Sequence, residues 1–118
     1  MVPRYRITAT ARADIVATLR YSHVQFGGPA RLRYQLLIST ALSDVASSPR
    51  RVGSADREDI FSGLRSYHLH HAKDRTKTES GAVGRPRHVV FYRIADDGVV
   101  EILRMLHDGM QPTLHLLE

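Results

Sequence analysis

The side chains best able to do chemistry in this chain are arginines and histidines. Arg65, His68, Arg93, Arg104 and His107 stand in segments that alternate polar and apolar residues. Residues two apart on a strand share a face, so adjacent strands could gather these five on one side of a sheet. RNA can be cleaved by such groups without a metal. Arginine stabilises the developing phosphate charge, and histidine or tyrosine moves the proton. Arg93 and Arg104 draw notice because each is a charge inside an otherwise apolar run. The competing explanation is structural: each arginine snorkels, or pairs with Glu101 or another carboxylate.

Other chemistries find less support. His68, His70 and His71 cluster, and His68 and His70 are expected to share a strand face. No cysteine, His-Glu-x-x-His helix or carboxylate at ligand spacing joins them, so neither a metal nor a cofactor is expected. No nucleophile elbow is present for a serine hydrolase. Asp56, Glu58 and Asp59 sit in a hydrophilic connector and read as a solvated face. No glycine-rich phosphate loop follows a strand, which removes the nucleotide-binding α/β folds.

These residues need elements to position them. At 118 residues the chain suits one domain, taken as 1–118. Tyr5, Ile7 and Ala9 alternate with Arg6 and Thr8, which predicts a short strand. Thr10 is the expected cap of a first helix, with Asp14 near its positive end. Ile15, Val16 and Leu19 form that helix's apolar side, with Phe26 further down. Gly27-Gly28-Pro29 breaks it and opens a second helix. There Tyr34, Leu37, Ile38, Ala41, Leu42 and Val45 recur at spacings of three and four, one stripe packed on something flat. Ser47-Ser48-Pro49 ends this helix.

Residues 50–62 read as polar and irregular, with one short turn near Asp59 to Ser62. Leu64 to His70 is the next strand, with Tyr67 and Leu69 on one face. Residues 71–87 form a loop longer than neighbouring strands require. His88 to Ile94 and Val99 to His107 are strands joined at Asp96-Asp97-Gly98, a hairpin signal. A short tail follows from Met110. The fold class is therefore α+β, an N-terminal strand and an α-helical hairpin packed on a small antiparallel β-sheet.

The formal charge is +5, from 17 Lys+Arg and 12 Asp+Glu. It is uneven: +4 over residues 1–49, +5 over 50–93 and −4 over 94–118. A basic body suits an acidic partner or nucleic acid, although a solvated basic surface without a partner has the same composition. No stretch approaches the roughly 18 apolar residues of a membrane span. The first residues lack the apolar run of a signal peptide, and with the absence of cysteine this predicts a cytoplasmic protein.

Taken in order, these segments resemble the ParE branch of the RelE/ParE toxin superfamily of bacterial toxin–antitoxin, or plasmid-stabilisation, modules. Tyr5-Arg6-Ile7-Thr8 with Ala11, Asp14 and Ile15 resembles the family's opening strand and helix start. Phe26-Gly27 and Tyr34 resemble its helix-hairpin region, and Ser48-Pro49-Arg50 its helix end. Gly63 to Tyr67, Arg87 to Ile94, and Val100 to His107 with Met110 resemble its central and closing strands. The resemblance implies a toxin that inhibits DNA gyrase by binding, with no catalytic residues of its own. It also implies neutralisation by a ParD-like antitoxin whose C-terminal segment folds over the toxin. Operator DNA is reached only through that antitoxin.

The resemblance points to Arg65, Arg93, Arg104, His107 and Met110 for the target, and to Arg31, Tyr34 and Arg87 for the antitoxin. RelE-like relatives instead cleave mRNA on the ribosome, using basic residues and often a C-terminal tyrosine. No tyrosine follows Tyr92 here, and Lys73 and Lys77 lie in the long loop, which favours the ParE type. The mRNA endonuclease and a non-toxic partner-binding module remain the alternatives. One departure from the family pattern is local: its closing motif has Gly-Arg-Met after the histidine, whereas this chain has Asp108-Gly109-Met110.

Overall fold

A computed structural model describes residues 4–78 and 81–116. Strand β1 is Tyr5–Ile7, followed by helices α1, Ala9–Phe26, and α2, Gly28–Ser47. Then come β2, Ser54–Asp56, and β3, Arg65–His68, with a 3-10 helix at Leu69–Arg75. Strands β4, His88–Ile94, and β5, Val100–His107, precede a single-turn helix α3, Thr113–Leu116. The sheet runs β1-β5-β4-β3-β2, antiparallel from β5 to β2, with β1 added in parallel at the β5 edge.

The stripe on α2 is the centre of the core. Leu37, Ile38, Ala41, Leu42 and Val45 are buried against Tyr67, Val90, Tyr92, Val100, Ile102 and Met105 of the sheet. Helix α1 contributes less: Ala11 is buried, Ile15 and Leu19 are half-buried, and Val16 and Phe26 face solvent. The sheet's second face carries a smaller cluster. Leu64, Phe91 and Leu106 pack there with Ile60, Phe61, Leu103 and Leu116, so the 57–64 connector and α3 cover what the helices do not.

Several local expectations need correction. The cap of α1 is Thr8 rather than Thr10: Ala11 N donates to Thr8 Oγ1 at 3.1 Å. Thr8 is the residue where the chain leaves β1, and its own N–H is already spent on Ile102 O. Residues 50–62 contain β2, an edge strand whose three residues are too few to show a period. Strand β3 stops at His68, and the loop expected from 71 begins as the 3-10 helix. His70 therefore shares no strand face with His68; its N–H donates to His68 Nδ1 at 3.1 Å. Asp14 lies beyond the first turn of α1 and serves the sheet instead.

That service follows from the length of β1, which pairs only with Val100 to Ile102. Beyond Ile102 no strand among the described residues lies beside the outer edge of β5. Side chains of α1's entry take the strand's place. Thr8 Oγ1 donates to Leu103 O at 3.0 Å, and Met105 N donates to Asp14 Oδ2 at 3.0 Å. An edge that would otherwise template pairing with another chain is thereby closed.

Candidate functional site

The register divides the five basic residues that alternation had grouped. Arg65 pairs with Tyr92 and His107 with His88, on the helix-covered side of the sheet. His68 opposes Val89 and Arg93 sits beside Phe91, on the second side. A β-bulge at the Phe91–Tyr92 step places Leu103 as an extra residue on β5. Next to it, Arg104 turns around the sheet edge.

Arg104 is committed when it gets there. Its Nε and Nη2 donate to the two oxygens of Asp14 at 2.8 and 3.0 Å, and Nη1 donates to His115 O at 3.0 Å. One guanidinium thus ties β5 to α1 and to α3. Arg93 pairs with Glu101, Nη2 to Oε1 at 2.6 Å, as the structural explanation expected. Arg6 holds Glu101 from the other side at 3.5 Å and Asp97 at 2.8 Å. Arg65 Nε donates to Ser54 Oγ, which also contacts the Tyr92 hydroxyl.

His107 and Met110 lie at the far end of β5 around Asp108. The Asp108 carboxylate accepts from His68 Nε2 at 3.0 Å and from Arg87 Nε at 3.2 Å. His107 Nδ1 is 3.7 Å away. The His68 hydrogen bond, helped by the Arg87 charge against burial, holds the Asp108 carboxyl below the usual range. The residue that departs from the family motif is therefore the hub of a basic cluster. Met110 is 47% exposed beside it.

Beneath the tip of the helix hairpin is a cleft of about 480 Å³. Tyr21, Phe26 and Tyr34 line it from the helices, Val83, Arg85 and Arg87 from the long loop, and His88 and His107 from the sheet. Tyr34 and Arg87 were expected at a partner surface and do meet here; Arg31 is not among the lining residues. The floor is tightly bonded. Arg87 N donates to Tyr34 Oη at 3.2 Å, and Tyr34 Oη lies 2.6 Å from His88 Nδ1. Burial, reinforced by the neighbouring His107, pushes the His88 imidazole down to about 4. Burial likewise raises the Tyr34 phenol to about 12. At neutral pH His88 is therefore neutral, and the tautomer of its ring sets which of Tyr34 Oη and Nδ1 donates to the other.

Three residues that matter here were missed from sequence. Asp14 was read only as a helix-start residue, since the partners that give it its role lie about 90 positions along the chain. Asp44 did give one: it stands inside the apolar stripe of α2, where an acid implies a buried partner. Tyr67 Oη donates to it at 3.0 Å and Arg75 Nη1 at 2.8 Å. Arg85 was one loop arginine among several.

An N-terminal strand, a helix hairpin and an antiparallel sheet match the architecture expected from the resemblance, that of the toxin half of a toxin–antitoxin pair. The model of the ParE toxin of type II toxin–antitoxin systems, parDE, matches residues 5–112. Toxin ParE1 of Caulobacter vibrioides is 31% identical over 113 residues, spanning 95% of this chain and 96% of the relative. A solved structure, described as the chromosomal ParDE TA system from P. aeruginosa, superposes with a TM-score of 0.63. It covers 90% of this chain and 96% of that one at 17% identity, and so speaks for the fold. The chain belongs to the ParE toxin family of the RelE/ParE superfamily, and its partner is a cognate antitoxin. Among the described residues no helix is long and apolar enough to cross a membrane.

Proposed function

We propose that this toxin acts in the cytoplasm by binding DNA gyrase, performs no chemistry of its own, and is neutralised by a ParD-like antitoxin. Operator DNA is then contacted only through the antitoxin. The observation that carries the reading is the commitment of Arg104. A nuclease arginine must offer its fork to a phosphate, and this fork is already filled by Asp14 and His115 O. The other candidate groups are split between the two sides of the sheet, which leaves no shared point for a scissile phosphate. Exposed groups at separate places on the sheet, Arg93 at one and His107 with Met110 at another, suit contact with a large protein surface better.

The test is purified toxin in gyrase supercoiling and DNA-cleavage assays, with ribosomal mRNA cleavage run in parallel. Loss of supercoiling with accumulation of cleaved DNA, and intact mRNA, is expected. Codon-proximal mRNA cuts with unaffected gyrase would overturn the proposal in favour of the endonuclease.

A further inference from the structure

The tip of the helix hairpin is apolar on its outside. Tyr21, Val24 and Phe26 in the last two turns of α1, and Leu32 in the first two of α2, are 63%, 72%, 71% and 61% exposed. Only Gly27 separates the two helices, so these turns stand side by side. Tyr21 and Phe26 meet edge-on with ring centroids 6.5 Å apart, which makes a patch of what would otherwise be scattered side chains. The patch is not a stripe. At about 100° per residue, Tyr21, Val24 and Phe26 spread over roughly 200° of the α1 circumference, wider than the roughly 100° face that a helix lays against one partner. They cap the tip rather than line one side of it.

The charge around this cap has one sign. No aspartate or glutamate occurs from residue 15 to residue 43, most of both helices. Arg20 precedes Tyr21 and is exposed; Arg31 precedes Leu32 and is half-buried. Neither makes an ion pair among the described residues. A partner for the tip must therefore be apolar and anionic together, and must surround it. A nucleic acid supplies phosphates but no apolar surface for Val24 and Leu32. A helical peptide covers one face and leaves the others wet. An anionic lipid surface meets all three needs, with acyl chains for the apolar groups, phosphates for the arginines, and a fluid layer that closes around the cap.

We propose that the hairpin tip binds the surface of an anionic phospholipid bilayer. Val24, Phe26 and Leu32 enter the boundary between headgroups and acyl chains, and Tyr21 lies at the headgroup level with its hydroxyl in water. Arg20 and Arg31 sit among the lipid phosphates. The attachment is peripheral, since among the described residues no helix is long and apolar enough to cross a membrane. It is also salt-sensitive, because the arginine contribution is screened. The inference is independent of the gyrase target.

The chain has no tryptophan, so Phe26→Trp in the full-length protein puts a single indole at the tip. Val52→Trp is the control. Val52 is also apolar and 98% exposed, with Arg50 and Arg51 before it, but it lies past the far end of α2, a helix about 30 Å long. Each variant is mixed with vesicles of phosphatidylcholine alone, or of an equimolar mixture with phosphatidylglycerol. Emission of Phe26→Trp is expected to shift to the blue with the mixed vesicles and to be quenched by brominated acyl chains. Phosphatidylcholine alone should leave it unchanged, and Val52→Trp should not respond to either. Adding Arg20→Glu and Arg31→Glu to Phe26→Trp should weaken binding roughly tenfold or more, with matching circular-dichroism melts as the check on folding. No shift with mixed vesicles overturns the proposal, and so do equal shifts for the two tryptophan variants, which mean general adsorption of a basic protein. A shift without vesicles that grows with protein concentration overturns it in favour of a second copy of the chain. An equal shift with poly-L-glutamate overturns it in favour of an acidic polypeptide. Gyrase inhibition by wild type is read separately, so failure of either proposal leaves the other standing.

Discussion

Asp14, Asp44 and Asp108 each hold an arginine from another part of the fold, and their surroundings set how much each matters. Asp44 is only 6% exposed. Burial alone would raise its carboxyl, but hydrogen bonds from Arg75 and Tyr67 and the Arg51 charge outweigh burial and bring it below the usual range. Asp44→Ala leaves the buried Tyr67 hydroxyl without its acceptor, at a cost of about 2–4 kcal/mol in denaturant unfolding. Asp59→Ala, at the exposed Arg57 pair, should leave the unfolding midpoint in place.

The same distinction separates Arg104 from Arg93. Arg104 and Asp14 have side chains 19% and 16% exposed, so Arg104→Ala should destabilise by about 2–4 kcal/mol. Arg93 is half-exposed, and Arg93→Ala should cost less than about 1 kcal/mol. Arg93→Ala is therefore the cleaner probe of the target surface. Under the proposed function it lowers gyrase inhibition at unchanged melting temperature; full inhibition by this variant would remove Arg93 from that surface.

His88 supplies a pH signature. Tyr34 of α2, Arg87, His107 and Asp108 of the β5 end, and His68 of β3 all bear on it. Its imidazole titrates near 4 when folded and near 6.5 in the unfolded chain, so the unfolded state binds more protons between these values. Stability is full above about 6.5 and falls, by on the order of 2–3 kcal/mol, as pH drops toward 4. Melting followed from pH 7.5 to 4 should show a steeper decline for wild type than for His88→Gln.

At the scale of elements, the joins are more exacting than the helices they connect. Gly53, in the turn leading to β2, has φ +99°, and a Cβ there would lie 2.9 Å from the His71 ring. That ring is stacked on Tyr67 with centroids 5.1 Å apart, so it has little room to withdraw. Gly98, at the β4–β5 turn, has φ +83° but open space around it. Gly98→Ala should cost about 1 kcal/mol from backbone strain alone, and Gly53→Ala measurably more, by thermal melting of the two variants. The β4–β5 hairpin was legible because Asp-Gly turns and apolar alternation are local signals. Strand β2 was not, because a three-residue edge strand exists only through its pairing with β3.

At the scale of the molecule, the long loop and the hairpin tip meet over the end of the sheet, and neither encloses a cleft alone. The amino-acid sequence by itself determined the helix hairpin, the α2 stripe, the β4–β5 hairpin and the α+β class. Each depends on periodicity or turn chemistry within a few residues. The family was legible from the order of those same pieces. Only the tertiary structure decided which face each basic residue takes, since a bulge and the pairing register are set between strands. It also decided which charges are already matched. Along the chain Arg104 is a charge inside an apolar run, open to a target surface or to some carboxylate, and it becomes a fastening once Asp14 is brought beside it. Ion pairs join residues by distance in space, and sequence separation carries no information about that distance.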